Sequence, residues 1–199
     1  MTTAPARLSK QARREQLLDV ALEIVRADGA DGLTLPTLAE AAEVSRPIVY
    51  HHFGTRPGLL LALYRRLDER HRAAIARALE QTAPTAVDVA EAMSVAYFAC
   101  ATDIPEFNAV SSALKGNPEM EASRRDLHEG YTDLMADALT PYSGLDRSAL
   151  RLHCVGALGA AEAIAGELNR GATTAADAVA ALTGVILGHI ERTAVAPTE

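Results

Sequence analysis

Two adjacent histidines, a tyrosine and an arginine lie close together in the segment VSRPIVYHHF, which runs from Val44 to Phe53. Side chains of these types could ligate a metal, take part in acid–base catalysis, pack in a core, or contact another macromolecule. Their spacing along the chain separates these four kinds of site.

The histidine pair is poorly placed for metal binding or catalysis. Metal ligands on a helix stand three or four residues apart on one face, whereas the consecutive His51 and His52 diverge by about 100°. A catalytic histidine also needs a nucleophile and an orienting group, and the sequence contains no G-x-S-x-G, H-E-x-x-H or phosphate-binding glycine loop. We therefore predict no catalytic residue, no metal, no cofactor and no enzymatic activity.

The remaining residues of the segment form two faces of a short helix. Val49 and Phe53 stand four residues apart and, with Val44, make an apolar inward face. The outward face is polar and consists of Arg46, Pro47, Tyr50, His51 and, at its margin, Ile48. Such a face can offer arginine to guanine edges, an apolar contact to a thymine methyl group, and hydroxyl or imidazole donors to phosphate.

The surrounding sequence predicts the elements that position this face. Residues 9–28 carry an apolar stripe with helical spacing and are followed by two Asp-Gly pairs that end the helix. Thr34 can cap a short helix of residues 35–42, and Ser45 can cap a second one that runs to His52. Two short helices joined by three or four residues are typical of a helix-turn-helix, whose second helix can enter a major groove.

The segment LTLPTLAEAAEVSRPIVYHHFGTRPGLL, from Leu33 to Leu60, resembles the DNA-binding domain of the TetR (tetracycline repressor) family of bacterial transcription regulators. The shared features are a threonine cap, L-A-x-x-A, V-S, x-x-Y-x-H-F, a short linker, a basic residue and a double leucine. The resemblance extends from the helix of residues 9–28 to about Leu67, a third of the chain. It implies a double-stranded DNA operator as partner.

The resemblance also implies roles for individual residues. Ser45, Arg46, Pro47 and Ile48 open the recognition helix and are expected to face base edges. The residues expected to meet backbone phosphate are Thr34, Thr37, Tyr50, His51 and Arg56.

Two positions depart from the family pattern. Glu43 occupies the turn position usually held by glycine, so we expect a left-handed backbone conformation there. Pro47 stands where glycine is frequent, which stiffens the start of the helix and removes one backbone donor. Both departures leave the operator sequence unpredictable.

The distribution of charge is compatible with a nucleic-acid partner although the net charge is −7. Residues 1–72 carry 11 Lys and Arg against 9 Asp and Glu, which gives +2, and residues 73–199 carry 8 against 17, which gives −9. Screening limits the field that a phosphate experiences to about 10 Å, so the local balance matters more than the total. Basic residues concentrate at Arg7, Lys10, Arg13, Arg14, Arg46 and Arg56.

No stretch reaches the roughly 18 apolar residues of a membrane span, and residues 1–16 do not resemble a signal peptide. We therefore expect a cytoplasmic protein without a membrane partner. Cys100 and Cys154 stand in alanine-rich helical contexts that favour buried, reduced thiols, with a redox role left open.

The rest of the chain shows only helical patterns, which predicts an all-α fold of about nine helices. We divide it into a helix-turn-helix DNA-binding domain, residues 1–67, and a helical effector-binding and dimerisation domain, residues 68–199. The predicted later helices are 85–101, 107–115, 119–140, 148–169 and 175–192.

Two sets of residues in the second domain are candidates for function. Small residues at close spacing on the last two helices suit tight helix pairing, which the family resemblance assigns to a four-helix dimer interface: Gly156, Ala160, Ala163, Ala181, Gly184 and Gly188. Apolar bulk with a few polar tips favours a small-molecule pocket lined by Met93, Tyr97, Phe98, Phe107, His128, Tyr131 and Met135. For each of these sets, ordinary packing within the chain is the alternative.

Three hypotheses for function follow. The first is a homodimeric repressor released from a palindromic operator by an apolar or amphipathic effector. The second is a DNA-binding regulator without such an effector, either an activator or one controlled by a protein. The third is a helical enzyme or carrier, for which His128 with Asp126 or Glu129 is the nearest acid–base set.

Overall fold

The computed structural model of the protein describes residues 8–103, 106–114 and 118–191. All regular secondary structure in this part of the chain is helical, which confirms the predicted all-α class. Its α-helices are α1 (Lys10–Gly32), α2 (Leu35–Ala41), α3 (Arg46–Phe53), α4 (Arg56–Glu80), α5 (Ala86–Asp103), α6 (Glu106–Leu114), α7 (Pro118–Leu139), α8 (Arg147–Asn169) and α9 (Ala175–Glu191). A short 3₁₀ helix, Thr140–Tyr142, follows α7.

Two compact units share these helices. The first holds the described residues up to Leu67 together with those between Glu106 and Arg124, and the second holds the remainder. The first unit therefore combines the helices up to Leu67 with α6 and the beginning of α7. The assignment of DNA binding and effector binding to residues 1–67 and 68–199 stays a proposal.

Helix α1 is the scaffold of the first unit. It begins at Ser9, whose hydroxyl accepts a hydrogen bond from the amide of Ala12 at 3.1 Å. Gly29 has φ 72° and ψ 177°, so the helix is kinked at the expected Asp-Gly break before it resumes and ends at Gly32. The buried face carries Leu17, Leu18, Ala21, Leu22 and Val25.

Helix α6 packs against α1 within the first unit. Its first residue, Glu106, is buried, and its Oε1 accepts a hydrogen bond from Nε of Arg26 at 2.8 Å. Burial of a carboxylate requires such a charged partner. The residues on either side of α6, 104–105 and 115–117, lie outside the described part of the chain.

The turn between α2 and α3 has the conformation expected from the sequence. Glu43 has φ 51°, the left-handed region in which side chains are disfavoured by roughly 1–2 kcal/mol. The amide of Glu43 donates to the carbonyl of Glu40 at 3.1 Å, and the amide of Val44 donates to the carbonyl of Ala39 at 3.0 Å. These two bonds close the turn at the end of α2.

We expect Glu43→Gly to raise the free energy of unfolding by about 0.5–1 kcal/mol. Relief of the left-handed strain is partly offset by the larger unfolded-state entropy of glycine. Chemical denaturation of both proteins measures the difference. Glu40→Gly, at an exposed helical position three residues earlier, is the matched control and should lower stability by up to about 1 kcal/mol. A loss of stability in Glu43→Gly as well would contradict the strain.

Among the described residues of the second unit, a core cluster forms where α5 and α8 pack along α9. Large buried side chains from α4, α5 and α7 include Ile75, Met93, Phe98 and Met135, each at most 3% exposed. The last two helices contribute mainly small or aliphatic buried residues: Leu150, Cys154, Ala157, Ala161, Ala165, Ala178, Leu182 and Ile186. None of the described helices is long and apolar enough to cross a membrane.

Candidate nucleic-acid interface and effector region

Helix α3 is held in its place by its inward face and by one arginine of α1. Val49 is fully buried and Phe53 is 7% exposed, as expected for the inward residues, while Val44 is half-buried. Nη1 of Arg14 donates to the carbonyl of His52 at 2.9 Å, and its Cζ lies 5.0 Å from the centre of the Phe53 ring. A cation over an aromatic face adds to the apolar contact. The orientation of α3 is therefore fixed by packing rather than by its exposed residues.

The outward face of α3, which is predicted to contact DNA, is open to solvent. Ser45, Arg46, Pro47 and His51 are exposed, and Ile48 and Tyr50 are 38% and 49% exposed. The Ser45 hydroxyl makes no cap bond, and Arg46 has no ionic partner in the described part of the chain. The structure thus leaves these groups available to a ligand, and their contacts with DNA stay predictions.

Thr34 and Thr37 have a structural role at the start of α2. The Thr34 hydroxyl accepts from the amide of Thr37 at 3.2 Å, and the Thr37 hydroxyl accepts from the amide of Thr34 at 2.9 Å. The Thr37 hydroxyl also lies 2.9 Å from the carbonyl of Gly32. This capping box accounts for both residues without a ligand, so a phosphate contact by either one would be additional to it.

Arg56 also has bonds within the first unit. Its Nε donates to the carbonyl of Leu33 at 2.9 Å, and its Nη2 donates to the carbonyl of Ala30 at 2.8 Å. The carboxylate of Asp31 lies 3.3 Å from the same Nη2. The guanidinium therefore links α4 to the end of α1. Its predicted phosphate contact would have to use Nη1, because these bonds involve only Nε and Nη2.

The electrostatics near the end of α3 are positive. The pKa of His52 is lowered, first by burial and then by the charges of His51, Arg14, Lys10 and Arg13. The basic residues noted at the start of the sequence therefore act on the region where α3 ends. Arg7 lies outside the described residues.

Most of the predicted pocket residues in the second unit belong to its core. Met93, Tyr97, Tyr131 and Met135 are buried in one cluster. The ring of His71 packs against both tyrosines, 5.2 Å from Tyr97 and 5.4 Å from Tyr131, whose rings lie 6.2 Å from each other. These side chains fill one another's space, which is the alternative of ordinary packing. The side chain of Phe107 lies outside the described residues.

His71 was not identified from the sequence as a pocket residue. It stands four residues after Leu67 and four before Ile75, both of which are fully buried, so helical spacing would have placed it on the inward face. Burial lowers its pKa from 6.5 to about 4. The imidazole is therefore neutral near pH 7.

His128 is paired with a residue of another helix. Its Nε2 lies 3.1 Å from Oε1 of Glu162 on α8. This contact does not involve Asp126 or Glu129, the two carboxylates considered for an acid–base set. Among the described residues, no group of three His, Cys, Asp or Glu side chains could hold a metal ion.

Two open grooves adjoin α5. The first, of about 760 Å³, lies between the second half of α4, the following turn and α5. The second, of about 750 Å³, lies between α5 and α9, and Phe98 is the predicted pocket residue that lines it. Glu91, Val95 and Ala99 line both grooves. Cavities of this size can hold a drug-sized molecule.

The small-residue stripe of α8 and α9 is largely exposed. Gly156, Ala163, Ala181 and Gly184 are exposed, and Ala160 and Gly188 are half-buried. A Cβ atom added at Gly159, Gly184 or Gly188 would meet nothing within 4 Å. Leu152 and Val155 on α8 are 73% and 48% exposed beside this stripe. Packing within the chain therefore does not require these glycines.

Cys154 is buried in the core of the second unit. Burial raises the pKa of its thiol to about 11, so the thiol is protonated and unreactive near neutral pH. The side chain of Cys100 lies outside the described residues.

The first unit is similar in sequence to known bacterial regulatory proteins. Residues 17–63 match the family model for bacterial regulatory proteins of the tetR family. The transcriptional regulator BetI of Burkholderia thailandensis is 39% identical over 72 residues, which cover 33% of this chain and 37% of BetI. The match thus spans little more than a third of that relative.

Longer similarities are weaker in sequence. The transcriptional activator FasR of Mycolicibacterium smegmatis is 26% identical over 151 residues, which cover 75% of this chain and 69% of FasR. The crystal structure of the transcriptional regulator FadR of Bacillus subtilis, in complex with stearoyl-CoA, matches with a TM-score of 0.71 at 18% identity and covers 88% of this chain and 97% of FadR. At that identity the likeness concerns the fold alone.

Proposed function

We propose that this chain, whose residues 17–63 match the family model for bacterial regulatory proteins of the tetR family, is a homodimeric, DNA-binding repressor released from a palindromic operator by a small apolar or amphipathic effector. Two recognition helices would enter successive major grooves, and the effector would change their separation. A coupling of about 3 kcal/mol is enough for a roughly 100-fold loss of operator affinity.

The observation that carries the proposal is the outward face of α3. It presents Arg46, Ile48, Tyr50 and His51 to solvent from a helix whose inward side is fixed by Val49, Phe53 and Arg14. A rigid helix with a mixed face of a cation, an apolar side chain and hydroxyl or imidazole donors suits base edges and phosphate together.

The exposed stripe on α8 and α9 supports the homodimer. Gly184 and Gly188 have open space around their Cβ positions, and the neighbouring Leu152 and Val155 are exposed although large and apolar. A self-complementary surface of this composition suits close pairing with the same helices of a second copy. Sedimentation of the purified protein would give the oligomeric state.

Support for an effector comes from the two grooves beside α5 and from the kind of ligand bound by a protein of the same fold. FadR of Bacillus subtilis binds stearoyl-CoA, an amphipathic molecule. FasR is named a transcriptional activator, so activation of transcription, in place of repression, is the second candidate function. Transcription measured from the bound promoter, with and without the protein, distinguishes a repressor from an activator.

The proposal is tested by fluorescence-anisotropy titration of DNA flanking the gene, at two salt concentrations and with competitor DNA. Tight, competitor-resistant binding that weakens as salt rises is expected of a specific regulator. Selection from random DNA extends the test to targets elsewhere in the genome. If neither experiment gives a sequence that binds more tightly than bulk DNA, the proposed function is wrong.

Arg46→Ala is expected to weaken operator binding by about 1–3 kcal/mol and to relax the preference at one base pair, since a guanidinium bonded to guanine reads sequence. Tyr50→Phe is the matched change on the same face and should weaken all sequences alike, because a phosphate contact carries no sequence information. Anisotropy titrations against the operator and single-base variants measure both. Equal loss on every sequence for Arg46→Ala would make Arg46 a phosphate contact.

A further inference from the structure

We propose that the groove between α5 and α9 binds an apolar organic cation, with Glu91 as the opposing charge. This inference rests on the proposed function, since it names the chemical class of the effector. It differs from the predicted aromatic pocket, since Phe98 of that set lines the groove whereas most of its other members are packed in the core.

The walls of the groove are apolar and built largely from short side chains. Val95 and Ala99 of α5 face Ala176, Val179 and Leu187 of α9, and the groove measures about 750 Å³. Val95 is 48% exposed, which is unusual for a large aliphatic side chain beside other apolar residues. A flexible hydrocarbon or a ring of moderate size would remove this surface from water.

Glu91 is the one ionisable residue among the described residues that line this groove. It is exposed and has no cation within ion-pair distance in the described part of the chain. The nearby Asp88 differs, because its carboxylate accepts a hydrogen bond from Thr85 at the start of α5. A carboxylate without a partner at the edge of an apolar groove favours a ligand with a positive head and an apolar body.

Thr183 supplies a second polar group to the same groove. Its Oγ1 is shielded from solvent and has no hydrogen-bond partner among the described residues, although the residue lines the groove. A buried hydroxyl without a partner is costly, and an ammonium N–H could donate to it. The groove is therefore lined by one carboxylate and by one threonine whose shielded hydroxyl oxygen has no partner among the described residues.

The charge of the surrounding sequence acts in the same direction. Residues 73–199 carry 8 Lys and Arg and 17 Asp and Glu, a net charge of −9. Within the roughly 10 Å over which charges act, the ionisable residue that lines the groove is Glu91, which would attract a cation and repel carboxylates and phosphates. An anionic amphiphile of the same length should therefore bind more weakly than the cation.

The test compares decylammonium, decanol and decanoate by isothermal titration calorimetry with the full-length protein, below their aggregation concentrations and at two salt concentrations. The three probes share one hydrocarbon chain and differ in the charge of the head. We expect decylammonium to bind at least tenfold more tightly than decanoate and the difference to shrink as salt rises. Equal affinities, or a preference for decanoate, would overturn the inference.

Two variants locate the site. Glu91→Gln should remove most of the preference for the cation, whereas Glu69→Gln, an exposed carboxylate of the same unit that does not line the groove, should keep it. Ala176→Phe fills the groove from an exposed helical position and should weaken decylammonium and decanol together. A preference unchanged in Glu91→Gln, or full affinity in Ala176→Phe, would place the ligand elsewhere and refute the assignment.

Operator titrations on the same preparations separate this inference from the proposed function. Glu91-dependent binding of decylammonium supports the site even if no DNA is bound. Operator binding by a protein that shows no preference for the cation would overturn the site and leave the regulator intact.

Discussion

Phe53→Ala is expected to lower the free energy of unfolding by about 3–5 kcal/mol and to abolish specific DNA binding, although Phe53 lies on the inward face. The ring is 7% exposed, and the guanidinium of Arg14 lies 5.0 Å from its centre. Removing it leaves a cavity under the end of α3 and removes the cation–π contact. Chemical denaturation gives the loss of stability, and anisotropy titration of the proposed operator gives the loss of affinity.

Two controls separate this effect from a lost contact with DNA. Phe53→Leu keeps most of the buried volume and should retain a large part of the stability. Ile48→Ala removes an apolar side chain that is 38% exposed, so it should change stability little while still weakening DNA binding. A stable Phe53→Ala protein would show that α3 is fixed by other contacts.

Acidification from pH 7 to about pH 4 is expected to remove about 3 kcal/mol of stability through His71. Its pKa is lowered by burial from 6.5 to about 4. In the unfolded chain the imidazole takes up its proton as the pH falls through 6.5, but in the folded protein it does so only near pH 4. The unfolded state therefore binds more protons across this window, and each pH unit costs the folded state about 1.4 kcal/mol.

Denaturation at several pH values checks this dependence. His71→Leu should reduce the slope of stability against pH between about 4 and 6.5, and His51→Gln, which changes an exposed histidine, should keep it. The buried Asp68 acts in the opposite sense, because burial raises the pKa of its carboxyl despite the nearby Arg72. The comparison between variants removes that contribution, and an unchanged slope in His71→Leu would contradict the prediction.

Local sequence patterns predicted the helices and the two faces of α3 well. The spacing of Val49 and Phe53, the cap at Thr34 and the left-handed Glu43 depend on neighbours within a few residues, whereas Ser45 stands at the start of α3 without the predicted cap bond. Such signals are visible in a single sequence because each is determined by short-range geometry.

Features that depend on distant residues were not visible. The bonds of Arg56 to the end of α1 and the packing of His71 against two tyrosines join segments more than twenty residues apart. An apolar aromatic set such as Met93, Tyr97 and Tyr131 reads the same in sequence whether it lines a pocket or fills a core. Only the three-dimensional arrangement separates the two.

The attachment of α6 to the first unit has a consequence for protein engineering. Hybrids of two-domain regulators can be made by fusing the DNA-binding domain of one protein to the effector-binding domain of another. A domain that ends at Leu67 would lack the carboxylate of Glu106, the partner of Arg26, and would expose the surface of α1 that α6 covers. A DNA-binding domain taken from this chain therefore needs residues 106–114 as a second, non-contiguous segment. The alternative is to redesign the surface of α1 that these residues cover.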